Sequence, residues 1–328
     1  MLDSYRAALS QRGDLLAKLG DDTTCVRLMH GAVEGAPGVA IDRYGPVLLV
    51  QTWRDPLADG VLDELHRATE RELGLDLVPV WNHRAKGTKA YSDWHTPAEL
   101  NAPQALEHGL RYDVRPRHRG RDPLLFLDFR SGRRRVREHS DGKRVLNLFA
   151  YTCGIGVAAR AGGASSVLNV DFAVSAIAVG RHNAQLNQLL EGFDTLVEDC
   201  LPVMRLLADL PIRQRRGRQR HTPKVDPQTF DLVVLDPPRW ATSKWGAVDI
   251  VRDYQSLFKP ALLCTNPGGH MLVTNNVASA DAGEWVEGLR RCAHKAGRPV
   301  RSIELIPPDS DFPSPDGRHP LKMAWIEA

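Results

Sequence analysis

The sequence predicts an α/β protein in which a doubly wound domain over residues 121–328 follows a small α+β domain over residues 1–120. Two observations predict it. From about residue 121 short apolar runs alternate with helical patterns, the order that builds a parallel sheet covered by helices on both faces. Several of those runs close on an aspartate or an Asp-Pro-Pro, and ligands of doubly wound sheets bind beyond the carboxyl ends of the strands.

The first domain opens with an amphipathic helix whose apolar positions are Tyr5, Leu9, Leu15, Leu16 and Leu19, followed by a strand at about 24–30. Residues 39–42 and 47–53 flank the turn Arg43-Tyr44-Gly45-Pro46 as a hairpin. A helix is expected at about 57–73 and a strand at 75–81, after which the chain to 105 reads as loop. In the second domain, strands are expected at 144–149, 166–171, 195–199, 231–236 and 269–276. Helices are expected at 155–162, 173–187, 201–210 and 252–264.

A hydrophobic fraction of 42% with 25% charged residues excludes a disordered or fibrous chain. No apolar run approaches the roughly 18 residues of a membrane-crossing helix. The N-terminal stretch lacks the continuous apolar core of a secretory signal, so a cytoplasmic protein is expected. The five cysteines, Cys25, Cys153, Cys200, Cys264 and Cys292, are scattered and never form Cys-x-x-Cys, so neither a disulfide framework nor a metal site is expected. The net charge of +3 says little, but its distribution says more: residues 111–137 hold ten arginines against three aspartates, and residues 211–224 contain no acid. Such runs are either solvated faces or contacts to a nucleic-acid backbone. Nothing in the sequence indicates the oligomeric state.

The first strand of the second domain runs through Asn147 to Phe149, and Ala150-Tyr151-Thr152-Cys153-Gly154-Ile155-Gly156 turns it into a helix. Glycines there permit close backbone approach to a ligand. Asp171 ends the second strand, where a carboxylate can accept both hydroxyls of a ribose. Asp199 and Cys200 follow the third, on the adenine side. The fourth ends in Asp236-Pro237-Pro238-Arg239-Trp240, in which two prolines fix a turn and leave carbonyls free. Asp171 and Asp199 each also suit a helix N-cap. Together these strand ends point to a nucleotide cofactor. Residues 154–159 satisfy G-x-G-x-x-A, but Ala150 to Cys153 intervene between strand and first glycine, which disfavours a dinucleotide and leaves room for an amino-acid-bearing ligand.

The runs FLDFRSGRRRV and VLNLFAYTCGIGVAARAGGASSVLNVDFAVSAIAVGRHNAQLNQL, with VLDPPRW and LVTNN downstream, resemble the bacterial large-subunit ribosomal RNA methyltransferases of the cytosine-C5 and guanine-N7 type. The likeness covers residues 121–328, and GAPGVAIDRYGPVLLVQ resembles the small central domain of the C5 branch. It implies a Rossmann-like class I methyltransferase fold, S-adenosyl-L-methionine as cofactor and ribosomal RNA as partner. Phe149, Tyr151, Thr152 and Gly154 would line the methionine and ribose, Asp171 would hold the ribose, Asp199 the adenine, and Arg130 would close the pocket. Asn147, Phe172 and Cys200 complete the expected cofactor set. Cys153 stands where the family often has glycine and reads as a small structural residue. No RNA-binding module of the PUA type is expected ahead of residue 24.

Methylation at cytosine C5 needs a thiolate to attack C6, and neither the fourth nor the fifth strand end carries a cysteine. Guanine N7 has an in-plane lone pair and no proton, so alignment suffices. Thr274-Asn275-Asn276 resembles the guanine-N7 branch. Guanine N7 is therefore preferred, with Asp236, Pro237 and Pro238 as catalytic residues. Trp240 would stack on the target base, and Lys244, Asn275, Asn276, Arg215 and Arg216 would contact the RNA. Trp240 also suits a packed loop and the asparagines a strand-end turn. The alternatives are C5 methylation through Cys200 or Cys264, and a non-catalytic, cofactor-binding RNA assembly factor.

Overall fold

The computed structural model describes residues 1–85, 97–118, 120–212, 222–243 and 245–328. They form two compact units, Met1–Arg130 with Pro308–Gly317, and Ser131–Pro307 with Arg318–Ala328. The division falls ten residues later than the sequence suggests, and a segment near the C-terminus counts with the first unit.

In the first unit the expected single helix is two, α1 (Leu2–Gln11) and α2 (Gly13–Leu19), interrupted at Arg12. The buried Arg12 guanidinium donates to the carbonyls of Ala8 and Arg27. Strands β1 (Cys25–His30), β2 (Val39–Tyr44), β3 (Val47–Thr52) and β4 (Val78–His83) form one sheet in that order, and α3 (Val61–Leu73) links the parallel pair β3 and β4. Tyr5, Leu9, Leu28, Ile41, Leu48 and Leu65 meet in its core. β5 (Gln104–Glu107) and β6 (Leu110–Asp113) form a hairpin where the sequence gave no strand signal; its turn, His108-Gly109, has both φ values positive, at 49° and 77°. Paired positive φ values suit the right-handed twist of a two-residue hairpin.

Arg130 is fully buried in this unit. Its Nη1 donates to Asp309 and Asp311 at 3.1 Å each, and its Nη2 to Asp311 and the Cys25 carbonyl at 2.8 Å each. Burial disfavours its charge, but Asp311, Glu107 and Asp309 outweigh that and hold it protonated. Arg130, expected to close a cofactor pocket, thus has its terminal nitrogens bonded to carboxylates and a carbonyl.

The second unit holds α4 (Arg130–Glu138) from its second residue, then β7 (Arg144–Leu148), α5 (Gly154–Ala161), β8 (Ser166–Asp171), α6 (Val174–Leu186), β9 (Phe193–Val197) and α7 (Cys200–Leu207). It continues through β10 (Phe230–Leu235), the hairpin β11 (Trp240–Ser243) and β12 (Gly246–Asp249), α8 (Gln255–Leu263), β13 (Thr265–Asn275), α9 (Ala282–Lys295), β14 (Ser302–Ile306) and β15 (Lys322–Glu327). The seven-stranded sheet has the order β14-β15-β13-β10-β7-β8-β9, with β15 antiparallel to both neighbours. This is a Rossmann-like sheet, and its order reverses at β7, between β8 and β10.

Leu146, Leu148, Val233, Leu235, Met271 and Val273 pack with α7, α8 and α9 in one core. Full burial of each such side chain stabilises by roughly 1.5–3 kcal/mol. On β8, Asn169 accepts from Asn147 Nδ2 at 2.9 Å and donates to the Asp194 carbonyl at 3.1 Å, tying together β7, β8 and the start of β9. Gly156 lets α5 settle on this pair, because a Cβ there would lie 2.1 Å from Asn169 Oδ1. Asn147, expected among the cofactor residues, forms this buried cross-link. Gly156 thus serves helix packing.

Candidate active site

The turn after β7 is held in a conformation that most residues resist. Phe149, Tyr151 and Cys153 have φ values of 59°, 49° and 56°. Left-handed backbone at non-glycine residues costs of order 1–3 kcal/mol each and persists only where surroundings enforce it. Here they do. Phe149 N donates to Cys200 Sγ at 3.2 Å, Ala150 N to the Val170 carbonyl at 3.0 Å, Tyr151 N to Asp171 Oδ2 at 2.9 Å, and Cys153 N to the Ala150 carbonyl at 2.7 Å. The unusual conformations thus fall on the residues before Gly154 and Gly156, not on the glycines. Thr152 and Gly154 are buried, whereas Phe149 and Tyr151 are half-buried.

Asp171 ends β8, and its Oδ1 accepts Ala173 N at 2.8 Å. Burial raises its pKa, while the N–H groups of Ala173, Tyr151 and Phe172 pull the other way. A carboxylate has about four lone-pair sites, so these bonds leave capacity for a ligand hydroxyl. Phe172, the next residue, is 60% exposed. Beyond β9, Asp199 caps α7 through Oδ1 to Leu201 N at 2.8 Å, while its Oδ2 is buried with no hydrogen-bond partner. An unsatisfied buried acceptor is costly, and a ligand N–H would relieve it.

All five cysteines are buried. The Cys200 thiol donates to the Val170 carbonyl at 3.3 Å, and burial, followed by the charge of Asp171, pushes its pKa well up. Cys264 donates to the Met204 carbonyl at 3.4 Å, and burial pushes it up to about 12. Both are protonated struts at neutral pH. Cys153 fills the space that Gly180 leaves, since a Cβ on that glycine would meet its Sγ at 2.3 Å.

On the other side of the switch point, Asp236 follows β10 and accepts the Thr274 hydroxyl on Oδ1. Pro237 is buried, and its carbonyl accepts the exposed Asn276 Nδ2 at 3.5 Å. Asn275, expected to contact RNA, is 4% exposed, and its Oδ1 accepts Val277 N at 3.0 Å. Trp240, at the foot of the β11–β12 hairpin, is 63% exposed, as a stacking face requires. Lys244, Arg215 and Arg216 lie outside the described residues. Of the arginines in the basic run over residues 111–137, Arg133 is buried and Arg135 pairs with Glu304 on β14 at 2.8 Å. Sequence reasoning passed over Thr274 and Tyr254, whose hydroxyl donates to the Thr274 carbonyl at 2.7 Å. Thr274 belonged to a motif already quoted, whereas Tyr254 left no signal. Asp171, Asp199, Asp236 and Thr274 thus stand at the carboxyl ends of parallel strands, along one rim of the sheet.

Among the described residues no His, Cys, Asp and Glu side chains gather as a metal site, and no helix is long and apolar enough to cross a membrane.

Residues 27–323 match the family model described as S-adenosylmethionine-dependent methyltransferase. The chain is 29% identical over 306 residues to ribosomal RNA large subunit methyltransferase I of Shigella flexneri, covering 89% of this chain and 71% of that one. The protein of the same name from Escherichia coli K12 gives the same figures. Among solved structures it is similar to SMU.776, a methyltransferase complexed with SAH, at 23% identity and a TM-score of 0.81, covering 100% of this chain and 80% of that one. A methyltransferase from Streptococcus mutans follows at 22% identity and 0.77, with the same coverage.

Proposed function

Because the chain belongs to the S-adenosylmethionine-dependent methyltransferases and takes its methyl group from that cofactor, we propose that its acceptor is a base of ribosomal RNA, guanine N7 in preference. The observation that carries the choice of atom is that every cysteine is buried, so no thiolate stands at a strand end to activate a cytosine. The RNA class is supported by the relatives named for ribosomal RNA. Such an acceptor places the work beside ribosomes, in the cytoplasm.

The residues on the rim suit the cofactor. The unpartnered Asp199 Oδ2 fits the adenine amino group, Asp171 has acceptor capacity for the ribose, and the left-handed turn of Phe149 to Cys153 holds backbone around the methionine part. When bound, the cofactor supplies a methyl group made electrophilic by its sulfonium. Asp171 fixes that turn in advance, so little reorganisation is required at the moment of reaction. Asp236 and the Pro237 carbonyl present acceptors to the N–H edge of the base, and Trp240 offers a face on which an extruded base stacks. N7 carries no proton, so these residues need only orient it and exclude water.

The test is methylation of ribosomal RNA from cells lacking the gene, with the purified protein and labelled cofactor, followed by mass mapping of nucleosides. N7-methylguanosine is the expected product. 5-Methylcytidine would overturn the choice of atom, and no methylated ribosomal nucleoside would overturn the acceptor class and favour a non-catalytic factor.

A further inference from the structure

We infer that Thr274 is a positioning residue for the acceptor site: its hydroxyl orients the Asp236 carboxylate, and Tyr254 braces the strand end that carries it. The inference rests on Asp236 facing the target base. β13 enters the site through Met271, Leu272 and Val273, all fully buried, and Thr274 continues that run at 0% exposure. Valine would fill the same place without bringing a hydroxyl into an apolar strand, and a buried hydroxyl is unfavourable unless it is bonded. The Thr274 hydroxyl has its bond at Asp236 Oδ1, 2.5 Å away. A carboxylate only accepts, so the direction of this bond is fixed and the carboxylate plane is held with it.

The second contact acts on the donor itself. Tyr254, at the N-cap position of α8, donates its hydroxyl to the Thr274 carbonyl at 2.7 Å, and its ring meets Trp285 of α9 edge-on at 5.7 Å between centroids. Burial, then the charge of Asp236, raises the phenol's pKa, so it stays protonated and can donate to that carbonyl. The two helices α8 and α9 thereby set where β13 ends, and Thr274 passes that position to the carboxylate. Asp236 follows a strand end and a proline pair follows it, so removing the hydroxyl takes away the donor that positions its Oδ1.

The experiment compares Thr274→Val, Thr274→Ser and Tyr254→Phe in the full chain, reading kcat and KM for the RNA acceptor, SAH affinity by calorimetry, and the Asp236 carboxyl titration by carbon NMR. The last needs no acceptor. Thr274→Val is expected to lower kcat by about 10- to 100-fold with SAH affinity unchanged, the size of effect of a misaligned catalytic group. In the same variant the Asp236 carboxyl titrates at higher pH, because its anion loses a donor. Thr274→Ser restores both, and Tyr254→Phe lowers kcat by about two- to tenfold, as loss of one hydrogen bond implies. An unmoved Asp236 titration in Thr274→Val, or a serine variant as impaired as the valine, would reduce Thr274 to a packing role. If Thr274→Val does not fold, wild-type kcat in Tyr254→Phe overturns the proposal alone. Full activity in Asp236→Asn would instead overturn the reading of Asp236, and so is distinguishable from failure of this inference.

Discussion

The cofactor side and the acceptor side of the sheet rim differ in what their hydrogen bonds hold in place. Around β7, β8 and β9 the shape resides in the backbone: the N–H groups of Phe149, Tyr151, Ala173 and Leu201 are tied to Cys200, Asp171 and Asp199. Around β10 and β13 it resides in side chains: Thr274 on Asp236, Asn275 on the turn, Asn276 on the Pro237 carbonyl, and Trp240 exposed on a short hairpin. A backbone cradle cannot be retuned without refolding the turn, so it suits a ligand that never changes. A side-chain cradle changes with single substitutions, so it suits the choice of acceptor.

The sharpest way to break this contrast is Asp171→Ala. It removes the ribose acceptor and also strands the N–H groups of Tyr151 and Ala173. Each stranded group costs about 1–3 kcal/mol, so SAH affinity is expected to fall about 100-fold or more by calorimetry. Near-normal affinity would show that the turn does not depend on its carboxylate. Gly156→Ala probes the same side from beneath. Its methyl group would collide with Asn169, and overpacking of this kind costs typically about 1–3 kcal/mol, read as a lower denaturant midpoint. An unchanged midpoint would mean that α5 is not seated on the Asn147–Asn169 pair.

The smallest expected effect lies at the sheet's edge. Arg135 bonds Glu304 and holds its carboxyl below the usual range. Because the folded pKa is depressed, the stabilisation is present above the unfolded value and lost as pH falls through the folded one. The pair is exposed, so Glu304→Gln should cost under about 1 kcal/mol at neutral pH and nothing in acid. A larger loss that persists at low pH would mean that Glu304 does more than pair with Arg135.

The strand ends were legible because parallel strands buried on both faces read as apolar runs, such as Leu232 to Leu235, and Asp171 and Asp236 close two of them. Other parts left no local signal. α4 is read from RSGRRRVRE, whose buried Arg133 hides the apolar period. β14 carries exposed Glu304 and Leu305, and β15 inserts between it and β13 after a long connection. Arg130 finds Asp311 across 181 residues, a pairing that no spacing rule reveals. The left-handed residues Phe149, Tyr151 and Cys153 were missed because that conformation ordinarily announces itself as glycine.

The division between the two sides is tested most directly by measuring SAH affinity and RNA turnover on Asp171→Ala and Asp236→Asn together. The expected result is that Asp171→Ala loses the calorimetric signal, while Asp236→Asn keeps wild-type SAH affinity with turnover lowered about 100-fold or more, as loss of a preorganised acceptor-side group implies. Loss of SAH binding in Asp236→Asn, or wild-type turnover in that variant, would contradict the account.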